Sequence, residues 1–206
     1  MKICLEGWSK INLDNEFPKH FDDFYTIPYN DVIADTYFFE KNKDFENLVE
    51  NFKKIKKDYF AKYKDNPILD ILNENEIMII GSLIEKEGLN IEDKRKISSV
   101  IMNRLKKNMK LQIDASVIFA ITNGKYDLER KLLFSDLKID HPYNTYTNKG
   151  LPPKPIAYTG KKTIDIIFEN IQTEFLFYFF DNSLNKHIFS KNYYEHLSRL
   201  NEYRKQ

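Results

Sequence analysis

The stretch HPYNTYTNKGLPPKPIA, residues 141–157, holds four of the chain's seven prolines. A helix cannot run through it, because each proline removes a backbone donor and clashes with the preceding turn. A central strand would lose ladder hydrogen bonds at the same positions. The segment therefore predicts a long, stiff loop that displays Tyr143 and Tyr146. All regular structure has to be built before and after it.

Apolar periodicity supplies that structure. Phe45, Leu48, Val49, Phe52, Ile55 and Tyr59 recur at spacings of three and four, predicting a helix over 44–64 with this stripe in the core. Residues 73–87, NENEIMIIGSLIEKE, predict a second helix with acidic residues at its positive end and Gly88 as its C-terminal stop. Its run from Ile77 to Ile84 is apolar nearly all round, so it should be central and buried. Asn90 and Asp93 suggest the cap of a helix over 91–107. Residues 113–123 fit a short helix or strand, 131–138 a turn of helix, and 162–171 a helix. The runs FLFYFF (175–180) and HIFS (187–190) flank DNSLNK and predict a β-hairpin, followed by a polar helix over 192–204. Residues 1–37, with Pro18 and Pro28, predict short strands and loops. The expected fold class is α+β: a helix-rich domain with a small antiparallel sheet or hairpin and a long Pro/Tyr loop lining a cleft.

A chain of 206 residues forms one large domain, or one domain with a small appendage. Thirty-two Lys and Arg against 31 Asp and Glu argue against a general nucleic-acid binder, which carries a strongly basic face. Sixteen Phe and 13 Tyr make an aromatic share of 15%; most should be core, and exposed tyrosines would suit a groove for a sugar or a peptide. A single cysteine, Cys4, excludes an internal disulfide and a cysteine-based zinc site. His141, His187 and His196 are too far apart to form a metal motif, so neither metal nor cofactor is expected. No apolar run reaches the roughly 18 residues that cross a bilayer. The start, MKICLEGWSKINLDNEFPKH, lacks the apolar middle of a signal peptide. The expectation is a soluble chain cut from something longer.

The segment GSLIEKE contains two candidate acids. Successive helical residues turn by about 100°, so Glu85 and Glu87 point roughly 200° apart. Glu87 continues the stripe of Ile77, Ile80 and Ile84, whereas Glu85 lies over Met78, Gly81 and Ser82. Small neighbours should leave a hollow beside Glu85 between apolar walls. Such a setting raises a carboxyl pKa and lets a substrate oxygen approach, which are the requirements of a glycosidic general acid. The alternative is a Glu85 at the helix end, paired with a lysine.

SLIEKEG, VIMNRLKKNMKLQIDASVIFA, PYNTYTNKGLPPKPIA, HIFS and YYEH follow one another in the order found in the endolytic murein transglycosylases, the YceG-like family, which the chain resembles over residues 29–206. IADTYFFEKN resembles the segment before the family's first helix. The resemblance implies an enzyme that cleaves the bond between N-acetylmuramic acid and N-acetylglucosamine in peptidoglycan strands without water. One glutamate protonates the leaving oxygen and then takes the proton of the muramoyl C6 hydroxyl, which closes on C1 as a 1,6-anhydro ring. By position this is Glu85, with Glu87 as the fallback. The resemblance further implies that Tyr143 and Tyr146 stack on sugar rings, that Asn144 and Thr145 hydrogen-bond their substituents, and that PYNTY and GLPPKPI form one cleft wall. Ser82, Asn103, Arg104, Gln112 and Asp114 match family positions and join the expected substrate-binding set. Asp114 is read as structural or substrate-orienting, and Arg104 as paired either with a peptide-stem carboxylate or with Asp114. His187 matches a family histidine and is read as structural.

The chain departs from the family pattern at Asn108, Ile113, Ala115, Ser116 and Lys154, which touches the detail of sugar contacts. Three rival readings follow: a water-using muramidase or chitinase-like hydrolase with the same Glu85, a non-enzymatic module that is a peptide ligand through the P-x-x-P element of LPPKP or a wall-binding scaffold, and an inactive family member that holds glycan and recruits wall synthases. Family members carry an N-terminal membrane anchor and a small LysM-like domain, so residues 1–28 are expected to be the remnant of an upstream region. The whole protein is then expected at the inner membrane with a periplasmic catalytic domain that sets glycan length beside cell-wall synthases.

Overall fold

A computed structural model of the chain describes residues 2–5, 7–38 and 45–205. Residues 39–42 of IADTYFFEKN, residue 44 and the side chain of Cys4 lie outside the described residues. The chain begins with β1 (Lys2–Cys4), α1 (Lys10–Glu16), β2 (Ile33–Ala34) and β3 (Thr36–Phe38). The helices α2 (Phe45–Ala61), α3 (Glu74–Glu87), α4 (Ile91–Lys106) and α5 (Asp114–Thr122) follow. Beyond the proline loop come β4 (Thr159–Gly160), α6 (Lys161–Glu169), β5 (Phe177–Asp181), β6 (Lys186–Ser190) and α7 (Tyr193–Tyr203). β1 pairs antiparallel with β3, β2 parallel with β4, and β5 antiparallel with β6. The fold is the mixed, helix-rich α+β class that the patterns predict.

α3 is the central element and packs against α4, α5, α6 and β4. Its start is fixed by a reciprocal cap: Glu76 N–H donates to Asn73 Oδ1 at 3.0 Å, and Asn73 N–H to Glu76 Oε2 at 2.8 Å. Ile77, Met78, Ile80, Leu83 and Ile84 are each wholly buried. At about 1.5–3 kcal/mol per side chain, their burial is what holds α3 in place. Asn90 caps α4 by accepting Asp93 N–H at 3.0 Å. Segment 113–123 resolves as a helix, ending on Asn123 in the left-handed region at φ 52°. Gly88 is not a left-handed cap; its φ is −79°. A glycine is needed there because a Cβ would lie 2.3 Å from Lys94 Cγ, where α4 folds back on α3.

The N-terminal segment departs from expectation by containing α1, and it shares the main core. Leu13, Phe17 and Ile27 are fully buried. Phe17 and Phe21 pack edge-to-face on Phe45 of α2 at 5.3 and 5.2 Å. The buried Tyr158 phenol donates to Ile27 O at 2.5 Å. α2 ends at Ala61, three residues earlier than its stripe suggested, and Tyr63 stacks on Phe168 of α6 at 3.9 Å.

The space beside Gly81 is filled by another part of the core. A Cβ at Gly81 would meet Thr159 Cγ2 at 2.3 Å and Oγ1 at 3.0 Å. Gly81→Ala is therefore expected to destabilise the fold by about 1–3 kcal/mol, read as a lowered urea midpoint with an unchanged slope. A variant as stable as the wild type would show that β4 yields freely there.

Candidate active site

The structure separates the two acids of SLIEKE. Glu85 is held in a buried ion pair: its Oε2 lies 2.5 Å from Lys94 Nζ, and its side chain is only 3% exposed. Glu85 Oε1 accepts the Gly160 N–H at 2.9 Å, and Lys94 also donates to Thr163 Oγ1 at 3.1 Å. The hollow expected beside Glu85 is absent, because Thr159 occupies the room left by Gly81. Glu85 thus pins α3 to α4 and to the start of α6, as in the lysine-paired alternative.

Glu87 faces the other way. Half-buried at the last turn of α3, it accepts hydrogen bonds from the Ala115 main-chain N–H and from the Tyr178 phenol, the latter at 3.3 Å. The carboxyl therefore sits at the N-terminal turn of α5, where unsatisfied N–H groups point outward. Burial pushes its pKa upward, and the negative charge of Asp114 pushes it further. The Ala115 N–H, a charge on His187 and the Tyr178 hydroxyl offset this only in part. Burial also keeps the Tyr178 phenol well above the usual range, so it remains a donor.

The proline loop is anchored to the same helix start. Tyr146 donates from its phenol to Asp114 Oδ1 at 2.5 Å, and burial with this bond raises the phenol's pKa. Thr145 Oγ1 accepts the Ile113 N–H at 2.9 Å and lies 2.8 Å from Ser116 Oγ. Asn144 donates to Leu137 O and Ile139 O and accepts the Tyr146 N–H at 2.9 Å. Tyr143 is half-buried and tilted over Phe119 at 4.7 Å.

Several of the expected sugar contacts are framework instead. Asn144 is fully buried and Thr145 nearly so, which leaves them no surface to offer a saccharide. Ser82 is also fully buried, donating to Ile79 O at 2.7 Å and accepting the Ile156 N–H at 3.0 Å. Asn103 donates to Thr173 O and Phe175 O, tying α4 to the irregular segment that leads into β5. Arg104 does not pair with Asp114. Its guanidinium donates to Leu176 O at 2.6 Å, Leu111 O at 2.7 Å and Lys110 O at 3.1 Å, under the ring of Phe177. Arg104→Met strands these carbonyls, each worth about 1–3 kcal/mol when buried without a partner. The expected result is a loss of at least about 3 kcal/mol in chemical denaturation, not restored by Arg104→Lys, whose point charge lacks the fork.

Gln112, Asp114, Tyr143 and Tyr146 remain as residues with exposed surface, and of these Asp114 and Tyr146 interact electrostatically with Glu87. Gln112 has a left-handed backbone at φ 52°, which turns the chain from α4 into α5, and its N–H donates to Thr145 O at 3.1 Å. The loop does not act as one wall. Its tyrosine half packs on α5, whereas Lys149–Pro152 rims a separate groove of about 1330 Å³ floored by Ile68, Leu72, Ile79 and Met102. That groove is the larger concavity, but neither Glu87, Tyr146 nor Tyr178 lines it. A smaller cavity of about 280 Å³, lined in part by Lys86, Ala115, Ile118 and Tyr126, flanks the first turn of α5, and Glu87 does not line it either.

Sequence reasoning missed Tyr178, the Ala115 N–H and Lys94. Tyr178 had a signal: it is the one hydroxyl in FLFYFF, a position that needs a partner once buried. Among the described residues, no group of three or more His, Cys, Asp or Glu is arranged to hold a metal ion, and no helix is long and apolar enough to cross a membrane.

Comparison with known proteins agrees with the motif order. A model of the YceG-like family matches residues 18–202. The chain is 35% identical over 178 residues to an endolytic murein transglycosylase of Bacillus subtilis, covering 86% of this chain and 46% of that protein. It is 29% identical over 164 residues to an endolytic murein transglycosylase of Streptococcus pneumoniae, covering 78% of this chain and 29% of that one. The chain therefore spans less than half the length of these relatives. A crystal structure of a yceG-like protein from Listeria monocytogenes superposes with a TM-score of 0.72 at 30% identity, covering 82% of this chain and 54% of the other.

Proposed function

The chain belongs to the YceG-like family, and on that premise we propose that it cleaves murein glycan strands as a lytic transglycosylase, with Glu87 as its single acid and base. The observation that carries this reading is the setting of Glu87: a half-buried carboxyl pushed upward in pKa, beside Asp114 and the Tyr146 wall. Glu85, the position first expected to act, has both oxygens engaged by Lys94 and Gly160.

In the first step the neutral Glu87 gives its proton to the bridging oxygen as the bond from that oxygen to the muramoyl C1 breaks. The departing N-acetylglucosamine leaves as an alcohol, and positive charge develops at C1. The newly formed carboxylate, with Asp114 behind it, favours that charge. In the second step Glu87 takes the proton of the muramoyl C6 hydroxyl, whose oxygen bonds to C1. Glu87 ends as it began, and no water is consumed. One carboxyl suffices because the nucleophile belongs to the substrate, whereas a hydrolase of the ordinary kind needs a second carboxylate at about 5–9.5 Å. Tyr143 and Tyr146 supply ring surface for sugar faces, and Gln112 a side-chain amide at the rim. The catalytic unit in this reading includes the segment before residue 29, because Phe17 and Ile27 belong to the core that carries α3. The unit works outside the cytoplasmic membrane, where murein lies, and cuts strands near the synthases that make them.

Digestion of purified sacculi in H₂¹⁸O tests the reaction class. Muropeptides with 1,6-anhydro ends and no ¹⁸O are expected; ¹⁸O at new reducing ends would instead establish a water-using muramidase. The pH profile tests the acid. A carboxyl that must be protonated loses activity as pH rises through its pKa, so the raised pKa of Glu87 sets the alkaline limb of kcat/KM. Asp114→Asn keeps an acceptor for Tyr146 but removes the charge that raises Glu87, so that limb is expected to move to lower pH. A limb that stays put would remove Asp114 from this role.

A further inference from the structure

We propose that Asp93 and His187 are positioning residues that act through Tyr178 to hold the Glu87 carboxyl in its working orientation, an inference that rests on the reading of Glu87 as the acid. The geometry begins at one oxygen. Asp93 Oδ2 receives both His187 Nδ1, at 2.8 Å, and the Leu89 N–H, at 3.0 Å. Leu89 lies two residues beyond Glu87, so this oxygen joins the end of α3, the first turn of α4 and strand β6. Both side chains are shielded, Asp93 at 9% and His187 at 6% exposure. Burial pushes the Asp93 carboxyl up, but the hydrogen bonds from His187 and Leu89 outweigh it and hold the carboxyl below its usual range. An ionised Asp93 accepts only, which places a proton on His187 Nδ1.

From His187 the connection runs across the hairpin. In the β5–β6 register Tyr178 faces Phe189 and Phe180 faces His187, so these four side chains share one face. The His187 ring stands edge-on to Tyr178, with centroids 5.3 Å apart at 90°, and also packs on Phe180 at 5.3 Å. Tyr178 then reaches Glu87 Oε2 through its hydroxyl at 3.3 Å. The charged and titratable groups that act on this hairpin surface include Glu87 from α3, Asp93, Lys96 and Arg104 from α4, and Tyr146 from the proline loop, with Lys96 standing over the Phe189 ring.

The chemical consequence follows from counting donors. A neutral carboxyl has one O–H to give. Tyr178 and the Ala115 N–H approach Glu87 from the protein side and occupy acceptor positions there. The acidic proton is directed to the positions they leave, on the open side. Without the Asp93–His187 tie the hairpin is free to shift relative to the end of α3, and the Tyr178 bond is the contact that such a shift breaks. Substrate binding does not use this bond, so the effect belongs to kcat rather than KM.

A double-mutant cycle tests this on the full chain with sacculi as substrate, monitoring 1,6-anhydro products per folded molecule. Tyr178→Phe and His187→Leu are each expected to lower kcat about tenfold with KM unchanged, and the pair together also about tenfold, because the second change removes what the first has already disabled. His187→Asn, which returns an amide N–H to the Nδ1 position, is expected to restore most of the rate, and it remains informative if the leucine variant folds poorly. Additive losses, approaching a hundredfold in the pair, or wild-type kcat in either single variant, overturn the proposal. Glu87→Gln run in parallel keeps the two readings apart. If it is inactive while the cycle is additive, only the positioning role fails; if it is fully active, the role of Glu87 fails first.

Discussion

Glu87→Gln is expected to lower the rate of 1,6-anhydro product release by about 10²–10⁴-fold, the range that a positioned general acid or base contributes. The substitution keeps the shape of the side chain and an oxygen that accepts from Tyr178 and Ala115. It removes the transferable proton and nothing else of consequence. Stability should move the other way. Because the folded state raises the pKa of Glu87, the carboxyl contributes most stability below its unfolded pKa and loses it as pH rises through the folded value. Above its folded pKa the ionised, half-buried group is a burden, so there the glutamine variant is expected to melt no lower than the wild type. An inactive protein of undiminished stability separates a chemical role from a structural one, and circular dichroism melting alongside the activity assay measures both.

The opposite pattern is expected at Glu85. Glu85→Gln leaves the Lys94 ammonium in a nearly closed site without its counter-charge, and Lys94→Met leaves the carboxylate. Breaking one side of a buried ion pair costs about 3–5 kcal/mol. For a chain of this length each kcal/mol lowers Tm by about 2–4 °C, so a fall of roughly 6–20 °C is expected for either variant. Replacing both residues by apolar ones of similar volume should recover much of it, because the desolvation of two charges is then no longer required. Activity per folded molecule should persist in Glu85→Gln at temperatures below its transition. Scanning calorimetry of the two single variants and the double variant reads these energies. Single variants with wild-type Tm would mean that the pair contributes nothing.

The contrast between the two glutamates shows what the sequence carries. Periodicity located α3 and its burial, and it placed Glu87 on the stripe of Ile77, Ile80 and Ile84. That stripe faces the core, so a carboxyl at its end had to meet buried groups, and the signal for the unusual acid was present in the spacing. The opposite conclusion about Glu85 came from the two small residues beneath it. Gly81 and Ser82 do mark a close approach, but what approaches is Thr159 of β4 and the Ile156 N–H. A small residue reports that something fits there, and whether it is substrate or another part of the fold depends on a contact between segments 74 or more residues apart.

The same limit applies to the proline loop. Its stiffness was legible from composition; that Tyr146 of the loop donates to Asp114 at the start of α5 was not. The inward turn of Asn144 and Thr145 was not legible, because a short polar side chain in a loop serves equally well to bind a ligand or to satisfy nearby backbone groups. Arg104 makes the point most sharply. Its charge suggested a carboxylate partner, yet the fold uses its fork of donors to close three open carbonyls where α4 gives way to α5 and meets the hairpin. The hairpin itself was plain in FLFYFF and HIFS. That its hydroxyl reaches Glu87 is a product of tertiary packing between β5 and the end of α3, which no local pattern encodes.

The account rests on one carboxyl, and mass spectrometry of sacculi digested in parallel by the wild type, Glu85→Gln and Glu87→Gln tests it most directly. Anhydro-ended muropeptides are predicted from the wild type and from the folded fraction of Glu85→Gln, and essentially none from Glu87→Gln. Anhydro ends released by Glu87→Gln at the wild-type rate, or their loss in a fully folded Glu85→Gln, would contradict it.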